Sequence, residues 1–267
     1  MKQEPAGKSS VKRGLRVASM VLGFGLSATT AVAAENLNPH ADEILRSMSS
    51  FLAGTRAFSV SADISNEFIT LDAQKLQLNS FGTVLVERPS RFYTTRNGKF
   101  ADAELIYDGR QLTVYSKTAK DYVQKDLPGT IDQAIAAIEI QSGLSLPGAD
   151  LLLANPYAVL SSGITSSAYH GRAYVGGVEC HHLAFRTPTV DWQIWVKDGA
   201  EPLPLKYVIT SKWMAGAPQY SVELSQWNVK PVIAADRFKF TVPPGAKKVE
   251  GFAVDETGEF IASEEGK

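Results

Sequence analysis

Apolar and polar residues alternate with a period of two along most of this chain. The clearest stretch runs from Val178 to Asn228. It reads V-E-C-H-H-L-A-F-R-T-P, then D-W-Q-I-W-V-K-D-G, then P-L-P-L-K-Y-V-I-T-S-K-W, then Q-Y-S-V-E-L-S-Q-W-N. Such alternation puts one set of side chains on each face of a strand. Thr-Pro, Asp-Gly and Gly-Ala-Pro separate the runs, which predicts an antiparallel meander. Trp192, Ile194 and Val196 share one face, and Gln193, Trp195 and Lys197 the other. In the next run Leu205, Tyr207, Ile209 and Trp213 oppose Lys206, Thr210 and Lys212. A sheet with one apolar and one polar face is covered on one side. What covers it decides what the protein can bind.

The same period appears earlier. Phe58, Val60, Ala62 and Ile64 alternate with Ser59, Ser61, Asp63 and Ser65, and a second run spans Lys75 to Val86. Further strands are predicted at Arg91–Thr95, Leu105–Tyr107, Leu112–Tyr115 and Tyr122–Lys125, with Asn97-Gly98 and Asp108-Gly109 as turn signals. One more strand is predicted at Ser167–Tyr174, and a last one at Phe238–Val242. The period changes to three and four in two places. Ile44, Leu45, Met48, Phe51 and Leu52 predict a helix within Asn36–Gly54. Thr130 can cap a second helix from Ile131 to about Ser142, and a short one follows at Ala149–Ala154. A helical insert at about 130–160 thus divides two β-meanders.

The first 33 residues read as a secretory leader. Lys2, Lys8, Lys12, Arg13 and Arg16 precede an apolar run and then Ala31-Val32-Ala33, a small-x-small cleavage pattern. Residues 34–245 are expected to form a single domain. Residues 246–267 lose the alternation, turn acidic and are expected to be a mobile tail. Without the leader the chain has 22 basic and 27 acidic residues, so no basic surface suggests nucleic acid. Cys180 is the sole cysteine, which excludes an internal disulfide.

Catalytic motifs are missing from the sequence: there is no G-x-S-x-G, no H-E-x-x-H and no glycine-rich phosphate loop. Cys180-His181-His182 is the one suggestive cluster, with Asp191 a candidate neighbour on the adjacent strand. Clear paired ligand spacing is lacking, so Cys180 reads as a small buried hydrophobe and His182 as a hydrogen-bonded sheet residue. No metal, cofactor or catalytic residue is expected. The aromatics say more, because Trp192, Trp195, Trp213 and Trp227 all lie in the last meander. They fit either a plain β core or the wall of an apolar cavity. Candidate cavity residues are Leu183 and Phe185; Trp192, Ile194 and Val196; Tyr207 and Ile209; Val222 and Leu224; and Phe58 and Val60.

The stretch C-H-H-L-A-F-R-T-P-T-V-D-W-Q-I-W-V-K-D-G with P-L-P-L-K-Y-V-I-T resembles a bacterial family of predicted periplasmic proteins. The likeness extends through Y-D-G-R-Q-L-T-V-Y and P-G-T-I-D-Q-A and covers about Ala41 to Val249. Tyr107 to Tyr115 is also similar to a strand pair of the LolA/LolB-like lipoprotein carriers and receptors. The W-x-I-W-V and P-L-P-L-K layout resembles the lipid-sensing anti-sigma-factor regulators of that fold. The resemblance implies a mainly β, α+β fold: a curved, open antiparallel half-barrel whose concave face is covered by an N-terminal helix and the central insert. It implies an inward-facing arginine, for which Arg91 is the counterpart by order. It also implies a monomeric periplasmic carrier for lipid or lipoprotein acyl chains. Two alternatives stay open: a sensor that binds a periplasmic or membrane protein partner, and an orphan hydrolase.

Overall fold

The computed structural model describes residues 36–99, 102–142, 146–254 and 260–262. The leader read at 1–33 lies outside the described residues. Helix α1 is Pro39–Gly54; the Asn38 side chain caps it by accepting from the Ala41 N–H at 2.9 Å. Strands β1 (Ala57–Ile69), β2 (Lys75–Glu87), β3 (Arg91–Asn97), β4 (Ala103–Tyr107), β5 (Gln111–Ser116) and β6 (Asp121–Asp126) follow. Then come α2 (Ile131–Ser142), a 3-10 turn at Ala149–Leu152, and α3 (Pro156–Leu160). Thr130 and Gln133 cap α2 reciprocally: Gln133 Oε1 accepts from the Thr130 N–H, and Thr130 Oγ1 from the Gln133 N–H. The second meander is β7 (Ser166–Val175), β8 (Val178–Arg186), β9 (Val190–Lys197), β10 (Pro204–Ser211) and β11 (Gln219–Asn228).

One twelve-stranded sheet holds both meanders, in the order β6-β5-β4-β3-β2-β1-β11-β10-β9-β8-β7, with a two-residue strand β12 (Lys247–Lys248) outside β6. The fold is mainly β, and the sheet is open, with edges at β12 and β7. The meanders are joined by β1 pairing with β11, as in Ile64 opposite Val222. Bulges bend this surface. They fall at Tyr169/Arg172, where Gly171 takes φ +88°, at Pro204/Lys206, and at Ser59/Ser61 opposite Gln226.

Three sequence expectations fail. Asn97-Gly98 does not make a two-residue hairpin: Arg96 pairs with Ala103, so the loop is longer. Asn97 stays in β3 to pair with Phe81 on its other side, and Gly98 does not adopt the positive φ such a turn needs. Residues 238–242 are not a strand. Phe238 is buried and Phe240 packs on Tyr115 and Tyr122, so both serve as side-chain anchors, and Pro243-Pro244 cannot donate to a ladder. Trp213 is not on the apolar face; it sits in the turn after β10 and is 71% exposed. Within the segment read as a tail, β12 lies parallel to β6, and β13 (Phe252–Val254) pairs with β14 (Phe260–Ala262).

A covered apolar face as the candidate binding site

Register places the candidate residues in rows across the sheet. Leu183, Ile194, Tyr207 and Val222 are consecutive partners, and the row continues through Ile64 to Ser80. A second row runs Phe185, Trp192, Ile209, Tyr220 and Asn66. Phe185 and Trp192 stack with ring centroids 4.1 Å apart, and Trp192 meets Tyr207 edge-on at 5.7 Å. Val196, Leu224, Phe58 and Val60 belong to the same apolar cluster, and Ile209 packs against it.

Helices cover these rows. Leu45, Met48 and Leu52 of α1, Ile131 and Ile135 of α2, Leu151 of the 3-10 turn and Leu160 of α3 complete the cluster. Ile194 is fully buried, so the wall is sealed by helix side chains in this structure. Polar ties hold the cover at its rim. Tyr157 of α3 donates to Asp42 of α1 at 2.6 Å. The Ala154 N–H donates to Asp132 of α2 at 3.0 Å.

Arg88 faces inward and Arg91 does not. Arg91 turns outward to Glu87, 2.6 Å away. Arg88 Nη1 donates to the Leu152 carbonyl at 2.6 Å and thereby binds the sheet to the 3-10 turn. Its Nε and Nη2 are buried without a partner among the described residues. Burial pushes its pKa down, and Asp132 opposes that shift. Order along the chain could not separate Arg88 from Arg91. The signal that could is alternation: Arg88 follows Val84 and Val86 at a period of two onto the covered face, whereas Arg91 is offset by one from the buried Phe92.

The other side of the sheet is polar. A groove of about 730 Å³ lies across β2, β1, β11 and β10, lined mainly by polar side chains such as Ser65, Asn79, Gln219, Lys206 and Glu223. Such a lining does not suit hydrocarbon. His182 stacks on Trp195 at 4.2 Å and bonds Gln193 at 2.9 Å. Cys180 is fully buried and donates to the Val178 carbonyl, so the pair does not converge. Among the described residues no group of three His, Cys, Asp or Glu could hold a metal ion.

Residues 41–251 match the family described as "Predicted periplasmic protein (DUF2092)". The chain belongs to this family. Its description places the protein in the periplasm, and no described helix is long and apolar enough to cross a membrane. No curated protein matches the chain. Among solved structures, LprF from Mycobacterium bovis is 15% identical over 79% of this chain and 99% of its own, with a TM-score of 0.44. A LolA superfamily protein from Nitrosomonas europaea is 10% identical over 75% and 97%, with a TM-score of 0.38. The Pseudomonas aeruginosa MucA/MucB complex gives 15% over 76% and 61%, with a TM-score of 0.43. These are likenesses of chain path alone.

Proposed function

We propose that this protein binds and carries acyl chains, of lipid or lipoprotein, between its sheet and its helical cover. One observation carries the reading. The apolar face of the sheet is covered by helical segments that contribute no strand to the ladder and are tied at the rim by side-chain hydrogen bonds. The cover can therefore move while the sheet stays paired. An acyl chain would replace helix side chains against Leu183, Ile194 and Tyr207, each buried CH₂ contributing about 0.8 kcal/mol. Sequestration needs no nucleophile and no metal, and this reading makes the protein a binder rather than an enzyme.

A second reading, a regulator that binds a protein partner, is favoured by the open edge at β7, where Tyr174 is 70% exposed. The first reading is tested by stripping the protein of lipid and titrating a fluorescent fatty acid against tryptophan emission. Saturable binding that changes Trp192 emission and survives Trp195→Phe is expected. No saturable binding by the wild type would leave the carrier reading without support and favour the regulator.

A further inference from the structure

Arg96 is a second cation on the covered side of the sheet, and the acyl-chain reading does not use it. It lies four residues from the buried Phe92 in β3, hence on the same face, and pairs with Gly82, whose other partner is Ala62 of the apolar cluster. Arg96 thus faces inward with them. Its Nε donates to Ser80 Oγ at 3.1 Å, and among the described residues no carboxylate lies within ion-pair reach. The neighbouring arginines differ: Arg88 is engaged by a carbonyl and Arg91 by Glu87. A guanidinium stays protonated, and Arg96 is half-buried, so its charge is partly withdrawn from water and an anion can take the place of solvent beside it.

One phenol, Tyr220, stands near it and feels its charge, and a second, Tyr207, stands near Tyr220. Burial pushes the Tyr220 phenol up to about 12, against the pull of Arg96, and pushes Tyr207 up as well. Both remain hydrogen-bond donors at neutral pH. The roof reaches the same place: a Cβ on Gly148 would lie 3.6 Å from the Tyr220 hydroxyl. Asp150 on that roof has its carboxyl pushed up by burial and by Glu139.

We infer that Arg96, Tyr207 and Tyr220 form a subsite for the anionic head of an acyl ligand, whose chain lies along the covered rows. This rests on the carrier reading and adds the ligand's class, an amphiphile with a carboxylate or phosphate head. The fork of a guanidinium accepts either group in two-point fashion.

Competition of oleate, methyl oleate and oleoyl lysophosphatidate against a bound parinaric-acid probe tests it. The wild type should prefer oleate to its methyl ester by about tenfold or more, as a charge-assisted hydrogen bond implies. Arg96→Gln should bring that ratio to near one, and Tyr220→Phe should narrow it. If Arg96→Gln does not fold, the wild-type ratio and Tyr220→Phe still decide. The stronger competitor between oleate and lysophosphatidate assigns the head as carboxylate or phosphate. Equal wild-type affinity for oleate and its ester overturns the subsite and leaves the carrier reading standing. Failure of every probe and competitor to bind removes both.

Discussion

The two meanders share an alternating pattern, yet their covered faces differ. In β8 to β11 the row Leu183, Ile194, Tyr207 and Val222 is sealed. The same row continues into the first meander as Ile64 and Ser80, which are only partly buried. Beyond it lies the charged Arg96. Arg88, at the end of β2, is the other inward cation. The second meander is therefore the sealed wall on which the helical cover rests. The first brings charge to a surface that the helices cover less completely. Alternation alone does not make a sealed wall; the elements stacked on it do.

The largest expected effect breaks this comparison at its apolar end. Ile194→Asp places an unpaired charge between Leu183 and Tyr207 and should unfold the protein, at a cost above about 4 kcal/mol. A urea midpoint near that of the wild type would show that this wall opens to water without unfolding. At the charged end, Arg88→Met removes the bond to the Leu152 carbonyl, which is worth about 1.5–3 kcal/mol for a charged donor. Hydrogen exchange at Leu151 to Ala154 should then quicken about tenfold or more. Overall stability should change little, because two buried unpaired nitrogens leave with the side chain. Equal unfolding of sheet and cover would place the latch in the global core instead.

A smaller effect is expected at the rim. Tyr157→Phe loses the 2.6 Å bond to Asp42 and should lower stability by about 1 kcal/mol, read by denaturant titration. The smallest concerns His182 on the polar face. Burial holds its pKa below 6.5, with the Gln193 bond opposing and His170 assisting. The unfolded chain then binds the proton more readily. The contribution is therefore present above pH 6.5 and lost as pH falls through the folded value. The melting temperature should decline in that window, and His182→Gln should flatten the decline. A slope unchanged by the substitution would assign it to other groups.

Local chemistry made much of this architecture legible in the chain. Alternation marked both meanders, and the spacing of Ile44, Leu45, Met48 and Leu52 marked the stripe that α1 buries. Asp108-Gly109 was legible as a turn because both residues act locally: Asp108 accepts from two following backbone N–H groups, and Gly109 takes φ +95°. Phe238 and Phe240 misled because a period of two specifies side-chain direction, not a backbone partner. The rows of cavity candidates followed from hairpin register, which each turn sets by itself.

The sequence by itself determined which residues face together within each meander, and that one face must be covered. Only the tertiary structure decided that β1 joins β11, for that pairing closes about 160 residues of chain and has no local signal. It likewise decided that Arg88 meets Leu152 and that Arg96 meets no carboxylate among the described residues. Those outcomes depend on where the insert comes to rest on the sheet, which many weak contacts fix together and no short stretch encodes.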